Sequence, residues 1–159
     1  MEFTIPVAPR TKKNSQSFVT LKTGRTILLP SKTYREFEKQ VVGWTHATFG
    51  NLEPISNPIN LCCKFYMDKR YKSDLVGYLQ AIQDALIKAK FIEDDNHHIV
   101  TSVDGSEVLY DKTNPRIEVK ITPVSKGVTD GSNIVKFPTK EHQITVMEAI
   151  DRQKGDEDD

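Results

Sequence analysis

The groups best suited to phosphate chemistry are concentrated between Lys69 and His98. A basic run, Lys69-Arg70-Tyr71-Lys72, leads directly to Asp74. Further on, Glu93-Asp94-Asp95 sets three carboxylates in a row ahead of Asn96-His97-His98. Carboxylates are hard oxygen donors, and Mg²⁺ takes one or two of them together with phosphate oxygens and water. A metal held this way can activate a water nucleophile and neutralise charge developing on a phosphodiester. The surrounding Lys and Arg would hold a polyanion that carboxylates alone repel. The same residues also have a plainer reading, with Asp74 as a helix cap and Glu93 to Asp95 as a solvated turn. Tyr71, interleaved with Lys69, Arg70 and Lys72, is placed to wedge against unstacked bases. His97 and His98 read as surface residues on a strand, where neighbouring side chains diverge.

Positioning these groups falls to the elements on either side of them. Ile59, Leu61, Cys63, Phe65 and Met67 alternate with more polar residues, which predicts a strand over 59–67 running into the basic segment. Leu75, Tyr78, Leu79, Ile82, Ala85, Leu86 and Ala89 then form one apolar stripe at steps of three and four, a helix ending by about Lys90. Ser73 or Asp74 can cap its start. A helix of about fourteen residues is roughly 21 Å long. Asp74 and Asp95 therefore meet only if the returning loop folds back beside the helix, or if a second chain supplies one of them.

Elsewhere, Glu2 to Val7 alternates with Phe3, Ile5 and Val7 on one face and reads as a strand ended by Pro9. Phe18–Leu21 and Thr26–Leu29 flank Lys22-Thr23-Gly24-Arg25 as a hairpin. Tyr34, Phe37, Val41, Trp44 and Thr48 predict a helix near 32–48, with Thr33 and Glu36 as its capping box and with Phe37 and Trp44 as core residues. Ile99–Val103, Glu107–Tyr110 and Arg116–Thr122 read as strands, with a bend at Asp104-Gly105. The order strand, hairpin, helix, strand, helix, strands implies a single α+β domain on one mixed sheet with two main helices. That domain is expected over 1–124. A linker, a short C-terminal tail helix (Ile144, Met147, Ile150) and an acidic end are expected over 125–159, where the tail is free to meet a protein partner.

The composition is that of an ordinary globular chain of 159 residues. It contains no apolar run long enough for a membrane span and no basic-then-apolar leader, so a cytoplasmic location is expected. Cys62 and Cys63 are adjacent and read as packing residues facing opposite ways. The net charge of zero hides an asymmetry: residues 1–125 carry 17 Lys and Arg against 14 Asp and Glu, and the remainder 5 against 8. Arg10, Lys12, Lys13, Lys22, Arg25, Lys32, Arg35 and Lys39 form one basic cluster, and Lys64, Lys69, Arg70 and Lys72 a second. Such local excess attracts phosphate without making the whole chain basic.

The run from Asp74-Leu75-Val76-Gly77-Tyr78 through Asp84-Ala85-Leu86 to Glu93-Asp94-Asp95 closely resembles the signature of the RusA-like Holliday junction resolvases. That signature is a basic loop, Asp-Leu-Asp-Asn-Leu, a helix containing Asp-Ala-Leu, and Asp-Asp before the next strand. Ile5-Pro6-Val7-Ala8-Pro9 with Lys12, Lys13 and Asn14 is similar to the family's opening strand and loop, so the resemblance spans residues 2–122. It implies a metal-dependent, structure-selective endonuclease that acts on four-way DNA junctions as a homodimer in recombination and repair. Such proteins are often encoded by phages or prophages. The implied cofactor is Mg²⁺, with Mn²⁺ as a substitute. By this resemblance Asp74, Asp94 and Asp95 are the catalytic, metal-binding acids, with Glu93 as a further candidate, and Lys12, Lys13, Lys69, Arg70, Tyr71 and Lys72 contact DNA. The chain departs from the pattern at three positions. Val76 stands for the second aspartate, Gly77 for the asparagine, and Gln80 for a lysine needed for activity. Glu93, Asp84 or His97 could complete the site. Otherwise the chain would bind junctions and cut them poorly, or act as a protein–protein regulator through its tail.

Overall fold

The computed structural model describes residues 1–12, 17–70 and 72–125. Lys13, Asn14, Tyr71 and the expected tail helix lie outside the described residues. In chain order the elements are β1 (Glu2–Ile5), β2 (Ser17–Thr20), β3 (Thr26–Leu29), α1 (Lys32–Phe49), β4 (Ile59–Met67), α2 (Leu75–Lys88), β5 (Val100–Ser102), β6 (Glu107–Tyr110) and β7 (Arg116–Pro123). The fold class is α+β, as expected, with a mixed five-stranded sheet carrying two helices. The hairpin β2–β3 pairs only with itself, as a separate two-stranded sheet.

β4 organises the domain. Its odd-numbered residues, from Ile59 to Met67, are all buried and its even-numbered ones half-buried, the signature of a strand with one face against a core. One edge of β4 pairs antiparallel with β7, which pairs in turn with β1. The other edge pairs in parallel with β5 near its start and with β6 near its end. Parallel strands need a crossover, and α2 supplies it between β4 and β5. Ile117, Val119, Ile121 and Ile5 extend the buried face across β7 and β1, and Tyr78, Leu79, Ile82, Ala85 and Leu86 of α2 join them in one core. Beside it Phe3 meets Trp44, Phe49 and Phe91 at ring distances of 5.9, 5.1 and 5.4 Å, so Trp44 is a packing residue, and Phe37 is buried. The opposite sheet face is polar, with Lys120 paired to Glu2, Lys64 to Glu107, and Tyr66 bonded to Glu118. Cys63 is buried in the core and Cys62 lies on this polar face, both as free thiols.

Local chemistry moves two of the expected boundaries and one expected cap. β1 stops at Ile5 because the Val7 N–H turns back to the Ile5 carbonyl at 2.8 Å, although Val7 remains buried. α1 is capped by buried Ser31, whose Oγ accepts from the Tyr34 N–H at 3.0 Å, and not by a Thr33–Glu36 box. Thr33 lies inside the helix and is exposed, so its side chain is not at the free amides. β5 is confined to Val100–Ser102 because the amides of Ile99 and Val100 both turn to the Asn96 carbonyl.

Candidate functional site

α2 holds the two chemical segments at its two ends. At its start, Asp74 is the N-cap: its backbone is extended and its carboxylate accepts from the Val76 N–H at 3.3 Å. Asp74 is exposed, and the basic loop runs straight into it. At its far end the helix closes in a left-handed turn without glycine. Lys90 has φ +55°, its N–H donates to the Ile87 carbonyl at 2.8 Å, and the Phe91 N–H reaches back to Leu86 at 2.9 Å. This Schellman arrangement satisfies the last free carbonyls and buries Phe91, which reverses the chain into the acidic loop. The loop is pinned to the segment before β4, where the Ile55 N–H donates to Phe91 and the Glu93 N–H to Ile55, both at 3.0 Å.

Within this loop the carboxylates differ. Asp94 accepts from the Asn96 side-chain amide at 2.6 Å and from the Asp95 N–H at 2.8 Å, and these bonds hold its carboxyl below the usual range. Asp95 is held above that range, chiefly by partial burial, then by Asp94 beside it, and further by the charge of Asp84. Glu93 is exposed. His97 and His98 lie in a turn, not on a strand, and their rings do not diverge: the centroids are 4.0 Å apart. A turn lacks the alternation that would send them to opposite faces.

Asp84 faces the N-terminal segment, which crosses α2 as a strap. Arg10 makes a two-pronged pair with Asp68 at 3.2 and 3.3 Å, drawing the Asp68 carboxyl below its ordinary value. Gly77 permits the close crossing, since a Cβ there would lie 3.3 Å from the Thr11 methyl. Lys12 Nζ sits 3.0 Å from Asp84 Oδ2, and the Tyr34 hydroxyl lies 3.5 Å from the same oxygen. Burial first, and then the Asp84 charge, push the Tyr34 hydroxyl pKa up. Lys12 is thus engaged with a carboxylate on the helix turn that follows Gln80.

The structure therefore groups Asp84, Asp94 and Asp95 within electrostatic reach toward the C-terminal half of α2, and places Asp74 with the basic loop at its other end. The chemistry of the Asp94–Asp95 pair fits a hard divalent cation held by one or two carboxylates. Asp74 caps the opposite end of α2 from that pair, and among the described residues no three ligating side chains are drawn together tightly enough to enclose a metal. Val76 and Gln80 are both exposed, Val76 to 62%, so neither fills the core.

The basic loop borders a groove of about 570 Å³ lined by Lys69, Arg70 and Lys72 and, from β6, by Val108, Leu109 and Tyr110. Among the described residues none of these three cations pairs with a carboxylate, in contrast to Arg10, Lys12 and Lys64. The aromatic ring set against the loop is Tyr110, with the Arg70 guanidinium 4.6 Å from its centroid. The sequence reading passed over Tyr110, an isolated ring at a strand end with no nearby cation in the chain except Lys112.

Residues 6–122 match the family model described as Endodeoxyribonuclease RusA. A search of curated proteins finds no match. Among the described residues no helix is long and apolar enough to cross a membrane.

Proposed function

Because the chain belongs to the RusA family of endodeoxyribonucleases, we propose that it cleaves four-way DNA junctions, the branched intermediates of recombination and repair, inside the cell. The observation that carries this reading is the basic loop: three cations that have no carboxylate partner among the described residues, running straight into Asp74 at the head of α2. In this reading Lys69, Arg70 and Lys72 bind backbone phosphates and fix the position of the DNA on the protein. Asp94 and Asp95 would hold Mg²⁺, or Mn²⁺ in its place, with Glu93 adjoining. When bound, that ion supplies water activation and neutralises charge on the phosphodiester. A homodimer forms part of the proposal, because symmetric cutting of two strands calls for a two-fold axis. It would also allow Asp74 of one subunit to serve the acidic loop of the other, since the two groups stand at opposite ends of α2.

The test is nicking of a synthetic four-way junction with Mg²⁺, compared with Asp74→Asn and Asp95→Asn. Both variants should lose nicking while binding the junction as well as the native chain or better, because each removes a carboxylate that repels DNA. Near-native nicking by both would remove these residues from the reaction. A second reading, a junction-binding protein that cuts weakly, is favoured by Val76, an apolar side chain exposed where the resemblance calls for an aspartate. Tight junction binding in chelator with no nicking in Mg²⁺ or Mn²⁺ would select it.

A further inference from the structure

Phosphate binding by the basic loop gives no role to Tyr110. This residue ends β6, is 42% exposed, and its side chain makes no hydrogen bond among the described residues. Its backbone is nonetheless held firmly. It pairs with Met67 in the parallel β4–β6 register, and the next amide, that of Asp111, donates to the Met67 carbonyl at 2.9 Å. The ring is thus anchored to the residue of β4 from which the basic loop departs. Arg70 folds back from that loop with its guanidinium 4.6 Å from the ring centroid, so ring and cation form one layered surface.

We infer that this groove is a subsite for one unstacked nucleotide of a DNA strand, with its base on the Tyr110–Arg70 surface and its phosphates against Lys69 and Lys72. Four features converge on that ligand. The ring and the guanidinium offer flat faces on which any base can stack. Two ammonium groups stand beside them, and among the described residues no carboxylate lines the groove. Its volume of about 570 Å³ falls in the range of small-ligand sites. A strand end holds the platform more rigidly than a loop alone would. Bases inside a duplex are stacked on one another and cannot use such a surface. The subsite therefore favours DNA that exposes a base, as at a strand crossover or in a single strand. This inference rests on the reading that the chain binds branched DNA and adds a source of selectivity to it.

The experiment compares native protein with Tyr110→Leu and Tyr110→Phe on three probes: a four-way junction with 2-aminopurine at the crossover, an oligo-dT single strand, and a linear duplex. Circular dichroism first confirms that the variants fold. Tyr110→Leu should weaken junction and single-strand binding by about 5- to 140-fold, the range that loss of one base–aromatic stack produces. It should also restore the 2-aminopurine fluorescence that stacking quenches, and should leave duplex affinity within about twofold. Tyr110→Phe should behave as native. Native-like single-strand and junction binding by Tyr110→Leu overturns the subsite, and so does an equal loss on duplex. If the native protein shows no preference for the junction over duplex, junction selectivity falls. The single-strand comparison then still decides the stacking surface.

Discussion

Replacing Lys69, Arg70 and Lys72 together with Ala tests the phosphate clamp through a quantity that stacking and shape do not mimic, the salt dependence of binding. Each phosphate neutralised by a cation releases counterions and contributes about 0.9 to the slope of log K against log salt. The structure sets the number of contacts at stake. Among the described residues none of the three side chains is matched to a carboxylate, whereas Lys64 and Lys120, on the polar sheet face, pair with Glu107 at 3.1 Å and with Glu2 at 2.7 Å. Three cations, if each meets one phosphate, correspond to a slope change of up to about 2.7. Between 50 and 200 mM salt that difference amounts to about a 40-fold smaller loss of affinity for the variant than for the native chain. Fluorescence anisotropy on a labelled junction in chelator, over four or five salt concentrations, measures both slopes. The control is Lys64→Ala with Lys120→Ala, whose slope should stay close to native because those charges are already neutralised. A triple variant with the native slope, or a control that flattens as much, would refute the clamp and assign DNA binding to another face.

Three further outcomes follow from particular contacts. Ser31→Ala should destabilise the chain by about 1 kcal/mol in urea unfolding, the usual cost of a lost N-cap, while Thr33→Ala should change it little; the reverse order would restore the Thr33 cap. Arg10→Gln should lower stability at pH 7 by no more than about 1 kcal/mol, as expected of a partly exposed pair. Because Arg10 depresses the Asp68 carboxyl in the folded state, that contribution is present above the ordinary carboxylate pKa and lost as pH falls through the depressed one. The gap between the two proteins should therefore begin to narrow at about pH 4 and close once the pH lies below the depressed value, and a gap that persists there would mean Arg10 acts by packing. Val76→Asp with Gln80→Lys should raise Mg²⁺-dependent junction nicking by about 10²–10³, with little change in binding in chelator. An unchanged or slower rate beside a briskly active native protein would show a site rebuilt around another ligand.

The elements that carry the site were legible because their periodicity is unmixed. β4 alternates over nine residues without a break, and the α2 stripe keeps its three-and-four spacing from Leu75 onward. Asp74 as a cap followed from its type and its place before that stripe. The turn that aims the acidic loop was not legible, since a left-handed Lys90 replaces the glycine that normally signals such an ending. Nor were the true charges of the N-terminal cluster. Arg10 and Lys12 look unopposed when neighbours are counted along the chain, yet Asp68 and Asp84 reach them from 58 and 72 residues away. A cation's freedom to bind phosphate depends on partners in space, and so Lys69, Arg70 and Lys72 stand apart only once the fold is known. Tyr110 illustrates the same limit, because its relation to Arg70 exists only through the pairing of β6 with β4.

Under the proposed function, the departures at Val76 and Gln80 would bear on activity because of where they lie. Buried replacements could be attributed to repacking, but both positions are exposed on the first turns of α2, and Val76 is accessible to 62%. A β-branched apolar residue there gains no core contact and has modest helix propensity. An aspartate in the same turn would interact favourably with the helix dipole. Packing and helix stability therefore supply no reason for valine, and the change is a change of surface chemistry. It removes negative charge beside Asp74 and the unpaired cations, where a carboxylate without metal repels phosphate. Gln80 removes a positive charge four residues on, next to the turn where Asp84 already engages Lys12 at 3.0 Å. On the second reading, that of a junction-binding protein that cuts weakly, these changes would leave the start of α2 better suited to holding DNA than to cleaving it, unless the acidic loop of a second subunit restored the missing carboxylates.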